Sequence, residues 1–184
     1  MGTDKATMLH PDGRPLVRRA VDLLAGAGCN HVVVSLRHDQ DVPDEIKSIN
    51  GPNAISIIRD PEGGSDGPLS GMLTSMRLHP QADWLVIACD LPRLDVYTLR
   101  HLVEAKAPGA PFVCYRSEFD GMPEPLCALY TADALPVLET AVAGDIRCPR
   151  KILIRQSAPM IELQVPGALA NANTPDEWNQ ALLP

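Results

Sequence analysis

The chain has 184 residues and a formal net charge of −7, with 23 acidic against 16 basic side chains. That length suits one domain, residues 1–184, with a sizeable core, and the acidic balance, few aromatics and lack of a basic patch argue against nucleic acid as a partner. No apolar run approaches a bilayer span and the polar start from Met1 to His10 has no signal-peptide pattern, so a cytoplasmic protein with no membrane partner is expected. Cys29, Cys89, Cys114, Cys127 and Cys148 form an odd, scattered set with no CxxC pair. They are expected to be reduced and mostly packed, at spacings that disfavour zinc.

In chain order, His10-Pro11-Asp12-Gly13-Arg14-Pro15 is turn-rich. The spacing of Leu16, Val17, Ala20, Val21, Leu23 and Leu24 predicts a helix over 15–26, with Pro15 at its first position. His31 to Leu36 reads as a short buried strand, with Ser35 near its end. A weaker helix is expected over 43–49, where Asp44 and Glu45 favour the positive end. Ala54 to Arg59 is the next strand, closed by Asp60-Pro61. A flexible loop, Glu62 to Pro68, leads into a helix over 69–78.

Trp84-Leu85-Val86-Ile87-Ala88 follows, an apolar run that reads as a strand buried on both faces. It stops at Asp90, because Pro92 cannot continue a central ladder. Asp95 is placed to cap a helix over 96–106. Residues 111–115 and 126–130 are strand-like, with a turn over 117–124 between them. Helices are expected over 131–143 and 149–156, and an edge strand over 160–165. Thr174-Pro175-Asp176-Glu177 is a capping box that opens a last helix, to about Leu182.

This rhythm predicts a three-layer α/β/α sandwich with a mainly parallel sheet, into which 111–130 adds an antiparallel element. In a parallel sheet the strand ends face one way, so Ser35, Asp60 and Asp90 should converge at the rim where α/β proteins bind ligands. Asp90 there either caps its turn or holds a divalent cation against a phosphate. Three further groups could join it. Lys5, beside Asp4, suits a phosphate contact or plain solvent exposure. Gly67-Pro68-Leu69-Ser70-Gly71 lets backbone approach a ligand at a helix start, or is a surface loop. Asn171-Ala172-Asn173 offers amides to a ligand or to a metal's water shell, or forms a turn. The histidines and serines show no triad or nucleophile elbow, which argues against covalent catalysis.

Taken in order, Met1-Gly2-Thr3-Asp4-Lys5-Ala6, Gly13-Arg14-Pro15-Leu16, Val32-Val33-Val34-Ser35, Asp60, Gly67-Pro68-Leu69-Ser70-Gly71-Met72, Ala88-Cys89-Asp90-Leu91-Pro92 and Asn171-Ala172-Asn173-Thr174-Pro175-Asp176-Glu177 resemble the MobA-type molybdenum cofactor guanylyltransferase family over nearly the whole chain. The resemblance implies a Rossmann-like fold and transfer of GMP from GTP to the terminal phosphate of molybdopterin, with Mg²⁺ as cofactor and pyrophosphate as product. It implies Lys5 and Asp90 as catalytic residues, Lys5, Ser35, Asp60, Gly67 and Asp90 along the nucleotide, and Asp90 on the metal. Asn171 and Asn173 would serve the second substrate or the metal shell, and transient contact with other cofactor-biosynthesis proteins would follow. A cytidylyltransferase, a sugar-phosphate nucleotidyltransferase and a non-catalytic nucleotide-binding remnant are the alternatives.

Two departures stand out. The family opens with a strand and a loop of the form LAGGxSxRMG, whereas this sequence opens at the Met-Gly that would end that loop, so a first, central strand is expected to be lacking. Met122-Pro123-Glu124-Pro125-Leu126 stands where many relatives carry His-Pro.

Overall fold

The computed structural model describes residues 5–47, 54–61 and 67–170. A single 3₁₀ turn, Lys5–Thr7, leads to helix α1 (Leu16–Gly26). Strand β1 (His31–Leu36), helix α2 (Asp44–Lys47), strand β2 (Ala54–Arg59) and helix α3 (Pro68–Leu78) follow. Then come β3 (Trp84–Ile87), α4 (Val96–Glu104), β4 (Phe112–Arg116), β5 (Pro123–Tyr130), α5 (Ala134–Ala143), α6 (Pro149–Arg155) and β6 (Met160–Ile161). The edge strand expected over 160–165 is only two residues long, and the helix expected over 43–49 is one turn within the described residues. Asp95 caps α4 as its position suggests, accepting from the Thr98 N–H at 2.7 Å. The capping box at 174–177 lies outside the described residues.

The period-two alternation of β4 and β5 builds the three layers. Phe112, Cys114, Ala128 and Tyr130 point to one face, where they meet Leu69, Met72, Leu73 and Met76 of α3, Leu138 of α5 and Ile152 and Leu153 of α6. Val113, Tyr115, Cys127 and Leu129 point to the other, against Leu99 and Leu102 of α4 and Leu23 and Leu24 of α1. The Tyr115 hydroxyl, in the middle of that apolar face, donates to the Thr98 carbonyl at 2.8 Å. Burial pushes the Cys114 thiol up to about 12, so it packs as an apolar group. All five cysteines are free.

The strands form two sheets. One is the parallel pair β1–β2. The other has the order β3-β5-β4-β6. In it β3, β4 and β6 run one way and β5 alone runs against them. Strand β5 begins at Pro123, inside the stretch expected to be a turn. Pro123 is its first residue, and beyond Glu124 the register with β4 shifts between Cys114 and Tyr115. Pro125 thus falls in a bulge, where no ladder N–H is required.

Between the two sheets lies a gap. Among the described residues β1 pairs only with β2, and β3 only with β5. Residues 32–36 of β1 and 84–87 of β3 line one cavity consecutively, as a strand edge does and a strand face does not. The same cavity explains why β3 is half-buried along its length rather than enclosed on both sides. Helices α1 and α3 flank it and supply Val17, Val21, Met72 and Met76 to its walls. Among the described residues the helix layers thus continue across the gap, and the middle layer is interrupted there.

Candidate active site

The cavity has a volume of about 700 Å³, which includes the gap between the edges of β1 and β3. Its polar lining is gathered at the carboxyl ends of the strands. Lys5, Ser35, Asp60, Gly67 and Asp90 all border it. Ser35 stands one residue before the end of β1, Asp60 directly follows β2, and Asp90 lies in the turn after β3. The parallel run of β1 and β2 puts Ser35 and Asp60 on one rim, and α3 closes that rim from above.

Glycine at position 71 sets how tightly that rim closes. A Cβ there would lie 2.1 Å from Ser35 Oγ and 3.4 Å from Asp60 Oδ1. Only a glycine lets α3 sit down on these two side chains. Asp60 Oδ1 is buried with no hydrogen-bond partner among the described residues. A buried carboxylate oxygen costs free energy until a donor reaches it, so this atom marks a place for a ligand hydroxyl, a ligand N–H or a cation. Gly67, with φ at +56°, turns the chain into α3 ahead of Pro68 at the first helical positions. We expect Gly71→Ala to lower stability by about 1–3 kcal/mol, a fall in Tm of about 2–12 °C. Ser35→Gly in the same chain should restore most of it. Thermal melts of the two single variants and the double variant check this. Additive losses would refute the contact.

At the end of β3, bordering the same cavity, Lys5 Nζ donates to Asp90 Oδ2 at 3.1 Å. The side chains are 39% and 24% exposed, so both remain open to a ligand. At this exposure the pair contributes little to stability, about 0–1 kcal/mol. Its interest is chemical: one fixed cation and one fixed carboxylate face a common hollow. Among the described residues no group of three or more His, Cys, Asp or Glu could hold a metal by itself. Asp90 therefore belongs to no such cluster. That suits Mg²⁺, which commonly takes one or two carboxylates and completes its shell with water and substrate phosphates. Asn171, Asn173 and Asp4 lie outside the described residues.

Two residues with no role expected from the sequence hold the Asp90 turn from behind. Arg19, in α1, donates to the carbonyls of Leu91, at 3.3 Å, and Leu94. His10 Nε2 lies 3.2 Å from the Pro92 carbonyl, to which it must donate. Both gather around Asp12, whose carboxyl Arg14 holds well below the usual carboxylate range. Arg19 looks like any polar residue on an amphipathic helix, and only its burial against that turn distinguishes it.

A three-layer α/β sandwich with a polar rim over the strand ends, where a lysine meets a carboxylate, is the frame of a nucleotidyltransferase-like protein. The family model for the MobA-like NTP transferase domain matches residues 1–160. The chain belongs to that family. It is 32% identical over 180 residues to a molybdenum cofactor biosynthesis bifunctional protein of Synechocystis, covering 98% of this chain and 49% of that protein. It is 29% identical over 126 residues to a molybdenum cofactor guanylyltransferase of Pseudomonas putida, covering 68% of this chain and 65% of that protein. The chain thus spans about half the length of the first relative and somewhat less than two thirds of the second. Among solved structures, the molybdopterin-guanine dinucleotide biosynthesis protein A of Archaeoglobus fulgidus superposes with a TM-score of 0.73 at 23% identity, covering 98% of this chain and 89% of that one. The 2-C-methyl-D-erythritol 4-phosphate cytidylyltransferase of Thermus thermophilus superposes with a TM-score of 0.69 at 12% identity, covering 98% and 92%. These two likenesses establish the nucleotidyltransferase-like α/β fold.

Proposed function

We propose that the chain is a molybdenum cofactor guanylyltransferase that joins GMP, taken from GTP, to the terminal phosphate of molybdopterin. The observation that carries this reading is the single cavity bordered by Lys5, Ser35, Asp60, Gly67 and Asp90, with Lys5 and Asp90 already in contact, in a chain of the MobA-like family. A phosphate oxygen of the acceptor forms a bond to the α-phosphorus. The bond from that phosphorus to the bridging oxygen breaks, and pyrophosphate leaves with the electron pair. The acceptor phosphate is already an anion, so no strong general base is needed. Catalysis then rests on placement and charge neutralisation.

In this reading Asp90 holds Mg²⁺, which when bound neutralises the triphosphate charge as it shifts to the leaving group. Lys5 exchanges its contact with Asp90 for the phosphates. Asp60, through its orphaned oxygen, accepts from a donor on the nucleoside, and Ser35 and Gly67 line its path. The α3 N-terminus adds a positive end facing the same hollow. Five free thiols suit a reducing, cytoplasmic setting, and no described helix is long and apolar enough to cross a membrane.

The test is pyrophosphate release from Mg²⁺ with GTP or CTP, against molybdopterin, a sugar 1-phosphate or no acceptor. Release with GTP and molybdopterin alone is expected. Preference for CTP or for the sugar phosphate would replace this reading with one of its enzyme alternatives. A non-catalytic nucleotide binder is a second reading, favoured by the open edges of β1 and β3 along the cavity. Its signature is GTP binding without turnover.

A further inference from the structure

We propose that Arg19 is a positioning residue for Asp90, holding the turn that presents this carboxylate to the cavity. The inference rests on the proposed role of Asp90 and goes beyond it by naming what keeps Asp90 in place. The turn after β3 has few backbone bonds of its own. Pro92 has no N–H to give, and within the turn the Leu94 N–H reaches the Leu91 carbonyl only at 3.3 Å. Arg19 supplies what is lacking. Its two terminal nitrogens reach the carbonyls of Leu91 and Leu94, one on each side of Pro92. A planar guanidinium with paired donors can bridge two such oxygens, whereas a lysine offers one compact head.

The arrangement is costly enough to need a reason. The Arg19 side chain is only 12% exposed, and burial lowers its pKa against the pull of Asp12. A buried charge is tolerated where hydrogen bonds and a counter-charge meet it. Asp12 Oδ2 is 3.9 Å from Arg19 Nε, and Asp12 also lies 3.0 Å from His10 Nδ1, whose other nitrogen serves the Pro92 carbonyl. Two side chains around one carboxylate thus engage three carbonyls of one short turn. Leu91 and Leu94 are themselves buried, at 5% and 1% exposure, so apolar packing already anchors the far end of the turn. What Arg19 adds is a fixed backbone path directly after Asp90.

The experiment compares Arg19→Met, Arg19→Lys and, as a control on the same helix, Arg18→Met. Arg18 pairs with Asp22 on an exposed surface at 3.0 Å. Hydrogen exchange of the amides at 88–95 is read first, and calorimetric affinity for Mn²⁺ with GTP second, with Asp90→Asn as the reference. Arg19→Met should speed exchange in that segment by at least about tenfold and weaken the Mn²⁺-GTP affinity by about tenfold or more. Arg19→Lys should fall between, and Arg18→Met should move neither. Should Arg19→Met not fold, Arg19→Lys carries both readouts. Unchanged exchange at 88–95 overturns the proposal, as does faster exchange with parental affinity while Asp90→Asn binds weakly. Parental affinity in Asp90→Asn itself would sink the proposed metal role of Asp90, and this inference with it.

Discussion

Asp90→Asn should lower pyrophosphate release from GTP, with Mg²⁺ and molybdopterin present, by at least about a hundredfold. The amide keeps the size and shape of the carboxylate but removes its charge. Three changes follow. The carboxylate that faces Lys5 at hydrogen-bond distance becomes neutral, a hard anionic metal donor is lost, and the triphosphate charge is no longer balanced as it moves to the leaving group. The fold should survive. Asp90 is partly exposed, and its pair with Lys5 is worth at most about 1 kcal/mol, so Tm should move by no more than about 2–4 °C. Lys5→Met should cost less, about tenfold, since the metal would still carry most of the neutralisation. Initial rates at saturating GTP, with melting curves of the same preparations, make the comparison. Parental turnover in Asp90→Asn would remove this carboxylate from the chemistry.

Joining an apolar strand of six residues ahead of Met1, through a glycine-rich connector, should raise Tm by about 6–12 °C. The open edges of β1 and β3 offer backbone groups along one cavity between two sheets. A strand laid there, parallel to both, would complete two ladders at once. Each buried Val, Ile or Leu contributes about 1.5–3 kcal/mol, and fixing each residue's backbone costs about 1–2 kcal/mol. The balance, with the cavity lining also withdrawn from water, is a gain of about 3 kcal/mol. The same segment with lysine at alternate positions should give no gain, which separates strand insertion from mere lengthening. If the apolar strand left Tm unchanged, the gap would not be a strand site. Nucleotide affinity should rise along with stability, because Val33, Val34, Ile87 and Ala88 would then be held on both sides of the slot whose end carries Ser35 and Asp90.

Much of the fold was legible because it rests on local rules. The apolar runs of β1 to β3, the helical spacing of α1, α3 and α4, and the cap at Asp95 are properties of neighbouring residues, and they appear where the periodicity puts them. The direction of the strands followed from the alternation of strands and helices, and that direction implies one shared rim for Ser35, Asp60 and Asp90. The proline-rich start of β5 was not legible, because a bulge against β4 is what makes room for Pro125.

What residue order determined by itself is the set of chemical groups and the rim to which they belong, since side-chain chemistry and strand polarity are both written along the chain. Tertiary structure decided the rest. It brought Lys5 within 3.1 Å of Asp90 across 85 positions, seated Gly71 against Ser35, and turned Arg19 from the surface of a helix into the support of a distant turn. Those contacts depend on how helices settle on a sheet with an interrupted centre. That settling is set by volume and burial summed over many residues, which no local pattern contains.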